Sequence, residues 1–294
     1  MVFTIDEESE LSLDNLDQQL LQDQFTACDP QQLSSMGWVS PLGVDPDVLT
    51  HSGANFHLLR ARKEERLLPA SVIRDALLEK VSGIEASEER KVNRKERMEI
   101  KDNLIFEMTP KAFRRSSYTQ GLILPDSGLI VVDAGSWKKA EEWLSLLRQS
   151  LGSLPVKPVE CANSVSGVLT NWLSGKSGVP DHIQFGDECE LTDIQDQGAV
   201  IKSRRQDLES DEIKAHLNAG KLVTRIALDW NQSFSFILNE SLEVKRLRFG
   251  DVFANQIQEE GVDAAAEQDA IAHLQAMEFE RFLPALWKQF GGLV

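Results

Sequence analysis

The 294 residues hold 31 Lys and Arg against 47 Asp and Glu, a formal net charge of −16, with 41% hydrophobic residues, thirteen Phe and six Trp. That balance supplies a real core and excludes a disordered chain, and the length points to two domains or one elaborated domain. The longest apolar run, Gly128–Val132, is strand-sized and excludes a membrane span. The acidic first twenty residues do not have the pattern of a secretory leader. Cys28, Cys161 and Cys189 are widely separated and form no C-x-x-C pair, so reduced structural thiols in a cytoplasmic protein are expected, with no metal site.

In chain order, apolar residues at helical spacing predict an acidic amphipathic helix over 11–25, then a Gly- and Pro-punctuated loop at "MGWVSPLG" (36–43). "FHLLRARKEE" (56–65) begins as a strand and turns basic. Pro69 stands in the first turn of a helix whose Val72, Ile73, Ala76, Leu77 and Val81 share one face. The next helical stretch, ending near Pro110, contains "EERKVNRKER" (88–97). At 3.6 residues per turn it aligns Arg90, Arg94, Arg97 and Lys101, with Lys91 and Lys95 beside them.

Tyr118–Leu124 and Gly128–Asp133 read as strands joined by a turn at Pro125–Gly128, and a helix capped by Ser136 and closed by Gly152 follows. Pro155 and Pro158 mark a boundary between two halves. A helix over 165–174 precedes looser sequence to about 197, then the basic "GAVIKSRRQDL" and a helix opened by Ser210 and stopped by Gly220. Three strand candidates, "KLVTRIALDW", "SFSFIL" and "LEVKRLRF", form a meander that needs a helix on one face, and the C-terminal 30 or so residues supply helical material. The fold class expected is α+β, with two antiparallel-sheet halves and flanking helices.

Charge is segregated along the chain. Residues 1–56 contain ten acids and no Lys or Arg, whereas 57–118 and 198–249 are net positive by four and by two. Local potential follows such segregation more than net charge, because a distant acidic face is screened over a Debye length of roughly 8 Å. The basic groups are Arg62 and Lys63; Arg90, Lys91, Arg94, Lys95, Arg97 and Lys101; Lys111, Arg114 and Arg115 around Phe113; and Lys202, Arg204 and Arg205. Lys and Arg without an aromatic-rich platform fit phosphate contact better than base reading, and a solvated helix face is the alternative.

No catalytic constellation emerges. "LSGKSG" (173–178) ends like a phosphate loop, but Thr170 stands where that loop requires Gly. Asp133 and Asp229 end apolar strands, a place shared by nuclease carboxylates and ordinary turn formers. The five histidines show no i,i+4 pair and no metal spacing. No enzyme, metal or cofactor is expected.

The strings "MGWVSPLG", "LTH", "ARKEERLLP", "PKAF", "GLIVVD", "LLRQSLGSLPV", "RRQDL", "AGKLVTRIALDW" and "KRLRF" occur in one order and together resemble the bacterial recombination-associated RdgC family, most clearly over residues 24–250. The resemblance implies a non-enzymatic, nucleoid-associated protein that binds DNA, mainly duplex, without sequence preference and opposes the RecA recombinase. It also implies a ring-shaped homodimer encircling DNA. The protomer would have a centre region (1–66 and 114–155), a helical tip (67–113) and a base region (156–294). By motif, Phe113 corresponds to a tip-interface position, Arg90 to a basic family position, and Arg205-Gln206 to a basic–Gln pair. The alternative is a module acting directly on a recombination protein, with DNA binding incidental.

Overall fold

The computed structural model describes residues 1–6, 13–193, 198–250 and 264–294. Its first sheet grows from one long hairpin, β4 (His57–Leu67) and β5 (Phe113–Leu124), paired antiparallel without a break from His57↔Ile123 to Leu67↔Phe113. On one edge, β2 (Ser34–Val39) and β3 (Thr50–Ser52) pair successive parts of β4. On the other, β6 (Leu129–Val132), β1 (Val2–Ile5) and β7 (Val156–Pro158) complete seven antiparallel strands.

Because strand side chains alternate, this sheet has two distinct faces. Leu59, Ala61 and Ile123 join a core with Trp38 and with Trp143 and Leu147 of α4 (Trp137–Leu151). Trp38 and Trp143 meet edge to face at 5.5 Å, and the Trp38 indole donates to the Ser150 hydroxyl at 2.9 Å. Gly121 is required beneath Trp143, since a Cβ there would lie 2.2 Å from the indole ring. The opposite face contributes Leu58, Leu122 and Leu124 to a second, larger core.

That second core belongs mostly to a five-stranded antiparallel sheet, ordered β12-β11-β10-β8-β9. Its strands are β8 (Ile183–Thr192), β9 (Val200–Arg204), β10 (Leu222–Trp230), β11 (Phe234–Asn239) and β12 (Val244–Phe249). Helices α5 (Val165–Leu173), α6 (Asp211–Asn218) and α7 (Ala264–Gln289) bury Leu169, Leu217 and Phe282 in the same core. Phe282 of α7 meets Trp230, Phe234 and Phe236 with ring centroids 4.9–5.2 Å apart. The meander thus receives the helix it needs. The two sheets share this core through Val2, Phe56, Leu58 and Leu122, so the prolines at 155 and 158 do not separate two independent units. Indeed β7, which contains Pro158, pairs with β1.

Several sequence expectations change. The helix expected over 11–25 is α1 (Leu16–Leu21), which buries Leu16 and Leu20; positions 11 and 12 lie outside the described residues. Likewise, the start of the expected C-terminal helical stretch lies outside them, and α7 is described from Ala264. Met36–Val39 belongs to β2 instead of a loop, and its Gly37 admits the Phe25 backbone, which a Cβ would approach to 2.5 Å. The looser stretch before 197 contains β8, whose alternation Gly186 and three acids obscure.

The long helix across 88–101 is two helices. α2 (Ala70–Glu88) ends with Glu89 in the left-handed region, and α3 (Arg94–Met108) starts at Asn93, whose side chain accepts from the Glu96 N–H. An Asn followed three residues later by Glu is a helix start signal, and here it prevails over continuous periodicity. Leu77, Val81, Ile100 and Leu104 hold the two helices together in a small core of their own.

Where the hairpin leaves the main cores, Glu64 is 4% exposed. The Cys28 N–H donates to it at 3.0 Å, and Arg62 and Arg114 lie at 3.5 and 3.4 Å. The Cys28 hydrogen bond, helped by the two guanidiniums, holds its carboxyl below the ordinary 4.5. Among the described residues, no helix is long and apolar enough to cross a membrane.

Two predictions follow from these contacts. Gly121→Ala forces a methyl against Trp143 and lowers stability by about 1–3 kcal/mol in denaturant titration. Glu64→Gln keeps an acceptor for Cys28 but removes the charge, so it lowers the melting temperature at pH 7. Since folding depresses the Glu64 pKa, its contribution is complete above the unfolded value and is lost as pH falls through the folded one. The gap between wild type and Glu64→Gln therefore narrows in calorimetry as the pH falls below the ordinary 4.5 and through the depressed folded value.

Candidate nucleic-acid interface

Beyond the shared core, the face of β4 that carries Leu58 continues outward as Arg60, Arg62, Glu64 and Arg66, opposite Gln120, Tyr118, Ser116 and Arg114 of β5. Arg60 lies 4.3 Å over the Tyr118 ring and Arg62 the same distance over Phe25, while Arg62 also donates to the Ser116 hydroxyl at 3.0 Å. These planar cations are pre-oriented along an open sheet face, with Tyr118 half exposed between strand and solvent. Arg66 differs. It donates to the Gln32, Thr109 and Asp29 carbonyls at 3.1–3.2 Å and braces the base of the tip.

The other face carries Lys63 and Arg115. Lys63 Nζ lies 2.9 Å from Glu142 of α4 and 3.2 Å from Glu65, and Arg115 is 3.6 Å from Glu65. Burial alone would lower the Lys63 pKa, but the two carboxylates outweigh it and raise it. Lys63 is therefore a permanent cation held by its own neighbours, and Arg115 is the more accessible of the pair.

In the tip, Arg90 and Lys91 occupy the link between α2 and α3 and leave the predicted stripe. Arg90 makes a two-pronged pair with Glu96 and lies 2.6 Å from Glu88; Lys91 lies 2.7 Å from Glu85. The Arg90 hydrogen bonds depress the Glu96 pKa, and Lys91 does the same to Glu85. Arg94, Arg97 and Lys101 remain on one face of α3, exposed, with Lys95 beside them. None of the four makes a hydrogen bond or ion pair among the described residues. Lys111, in the turn after α3, is exposed as well.

Phe113, where the tip returns to the sheet, is 84% exposed. Beside its partner Leu67, an open groove of about 510 Å³ is lined by Leu33, Leu67, Pro69, Ile73 and Ile105.

The second sheet gathers a basic face around Glu188. Arg225 and Arg246 each lie 3.2 Å from that carboxylate and Arg204 lies at 3.8 Å, with Lys202 at 2.9 Å from Glu190. Arg246 has φ 51 at a bulge where β12 slips against β11. Arg205, also left-handed at φ 54, and Arg248 are exposed. Gln206 instead accepts from Ser203 and donates to Glu212, closing the turn into α6.

The sequence analysis missed Arg60, Arg225, Arg246 and Arg248. Arg60 was legible as the even-numbered neighbour of Arg62 on a strand; Arg225 and Arg246 are brought to Glu188 only by strand order. The Gly-Lys-Ser of 173–178 follows α5 and begins no helix, so it lacks the strand–loop–helix setting of a phosphate loop. Asp229 accepts from the Gln232 N–H at 2.7 Å and so acts as a turn former. All three cysteines are unpaired, and burial, with Glu188 adding to it, pushes the Cys189 thiol up to about 11.

A family model described as "Putative exonuclease, RdgC" matches residues 1–293. A "Recombination-associated protein RdgC" of Pseudomonas aeruginosa PAO1 is 44% identical over 295 residues, covering 99% of this chain and 96% of the relative. Relatives with the same name from Pseudomonas syringae pv. tomato and Aeromonas hydrophila are 45% and 42% identical over 268 and 284 residues. They cover 90% and 96% of this chain, and 87% and 93% of their own lengths. With the expected strings carried on one continuous two-sheet fold and matched from end to end, the chain belongs to the RdgC family.

Proposed function

We propose that this protein is a sequence-independent DNA binder, mainly of duplex, that acts in recombination and opposes RecA filaments at the nucleoid without cutting DNA. The observation carrying this reading is the exposed row Arg94, Lys95, Arg97 and Lys101, which makes no hydrogen bond or close ion pair with a carboxylate among the described residues, Arg97 acting on Glu85 only at longer range. Phosphate contact needs such free cations, and they carry no sequence information. Arg60, Arg62, Arg204 and Arg205 add further positive surface on both sheets. The names of the relatives, "recombination-associated", support the biological setting.

The description "putative exonuclease" would call for metal-binding carboxylates. Of the two strand-end aspartates, Asp229 is engaged in its own turn, which favours binding over hydrolysis. The same reading takes a ring-shaped homodimer as the working assembly, closed at the tip by Phe113. An 84% exposed phenyl ring beside an apolar groove supports that role, because burying such a ring contributes about 1.5–3 kcal/mol. The exposed apolar side chains of the tip, Met98 and Phe106 among them, favour a second reading, direct contact with a recombination protein.

Fluorescence anisotropy of a labelled duplex across a salt series tests the first reading. Affinity falls steeply with salt and is equal for unrelated sequences. Replacing Arg94, Lys95, Arg97 and Lys101 by Ala weakens all duplexes alike and flattens the salt slope by roughly one per lost phosphate contact. Replacing Arg90 and Lys91, already paired with Glu88, Glu96 and Glu85, has a much smaller effect. If the four-residue variant binds like wild type, the row is only a solvated helix face. If that variant binds DNA poorly yet still inhibits RecA fully, the direct-contact reading replaces the first. Labelled duplex incubated with Mg²⁺ or Mn²⁺ stays intact. In sedimentation equilibrium, Phe113→Glu weakens self-association at least tenfold; an unchanged dimer would remove Phe113 from the interface.

A further inference from the structure

His51 of strand β3 and Asp269 of helix α7 are 218 residues apart in sequence, yet the fold brings them together with His273. His51 Nε2 lies 2.6 Å from Asp269 Oδ1, and His273 Nδ1 lies 3.2 Å from the same oxygen. The three donor atoms all fall within 4.8 Å of one another. Asp269 and His273 are one helical turn apart, so their side chains share a face of α7. His51 comes from the strand below, where the Leu49 and Thr50 N–H groups both donate to Asp17 and fix the start of β3. The buried Phe56 ring meets His273 edge-on at 4.8 Å and restrains it.

We propose that these three side chains form a site for a divalent transition cation of the zinc class, clamping α7 to the first sheet. Two imidazole nitrogens and one carboxylate oxygen are the donor set such ions take, and three protein donors leave one position for water. A tetrahedral ion with bonds of about 2.0–2.1 Å holds its donors roughly 3.3 Å apart, which small side-chain shifts reach from the present geometry. Without the ion, the ring N–H groups donate to Asp269. With it, each ring proton moves to the other nitrogen and the lone pair of the first faces the metal. His273 and Asp269 are nearly half exposed, so an ion enters from solvent without unfolding anything.

The consequence is mechanical. α7 carries Phe282 into the core that both sheets share, and at the margin of that core its contacts with the first sheet are polar, as where Asn55 donates to Glu280 at 2.6 Å. A cation at His51, Asp269 and His273 adds a strong link across the two halves. Occupancy therefore adds to the apolar core a second, polar restraint on where α7 sits against the first sheet.

Isothermal titration of the full chain with ZnCl₂, paired with Co²⁺ absorption spectroscopy, tests the site. One ion binds per chain with affinity on the order of micromolar, and Co²⁺ develops the intense visible band of a low-coordinate N/O site. His51→Ala, Asp269→Asn and His273→Ala each weaken binding by at least tenfold and abolish the band, while His216→Ala on α6 changes neither. Zinc raises the melting temperature of wild type but not of His273→Ala, whose half-exposed ring is the change least able to disturb folding; far-ultraviolet circular dichroism confirms the fold. No binding up to about a millimolar, or binding indifferent to all three changes, would overturn the proposal.

Discussion

The unbroken ladder between β4 and β5 is the constraint on which the rest of the molecule depends. Its inner end is buried from both sides, by α4 and Trp143 on one face and by the second sheet's core on the other. Its outer end leaves both cores and carries the two tip helices as an insertion between Leu67 and Phe113. Because the pairing has no bulge, register at the buried end dictates which side chains face which way at the exposed end. A one-residue slip would exchange Arg60 and Arg62 for Ala61 and Lys63 on the open face.

The same ladder explains how an acidic protein displays cations. Carboxylates on the hairpin are placed to hold some basic groups and leave others. Glu64, buried and fixed by Cys28, steadies Arg62 and Arg114; Glu65 and Glu142 engage Lys63; Glu188 gathers three arginines on the second sheet. In the tip, Glu85, Glu88 and Glu96 neutralise the link between the helices. The tip cations without a close carboxylate partner lie along α3, whose other side packs on α2 through Ile100 and Leu104. Exposed pairs of this kind contribute little to stability. Their effect is to choose which cations stay available.

Cohesion between the halves has a different origin. It is apolar, with Leu58, Leu122 and Val2 entering a core that also holds the α7 aromatics, and polar contacts of α7 with the β3–β4 region lie at its margin. A contiguous core spanning two sheets makes the pair mechanically one body, whereas the tip, with four buried apolar side chains of its own, is attached by the hairpin and by Arg66.

Much of this was written locally in the chain. Ser136 and Gly152 bound α4 and Gly128 turns β5 into β6, because caps and left-handed turns are short-range properties. The basic composition of α3 was also legible, whereas the exposure of Phe113 was not. The break at Glu89–Asn93 was written there too, in an Asn followed by Glu, but helical periodicity across it concealed the signal. Which cations are free was not legible, since Lys63 meets Glu142 and Arg225 meets Glu188 only after strands pair across dozens of residues. Nor was the meeting of His51 with Asp269 and His273. Sequence sets what each segment can do alone, but charge compensation and ligand clustering depend on distances through space that only the packed sheets and α7 decide.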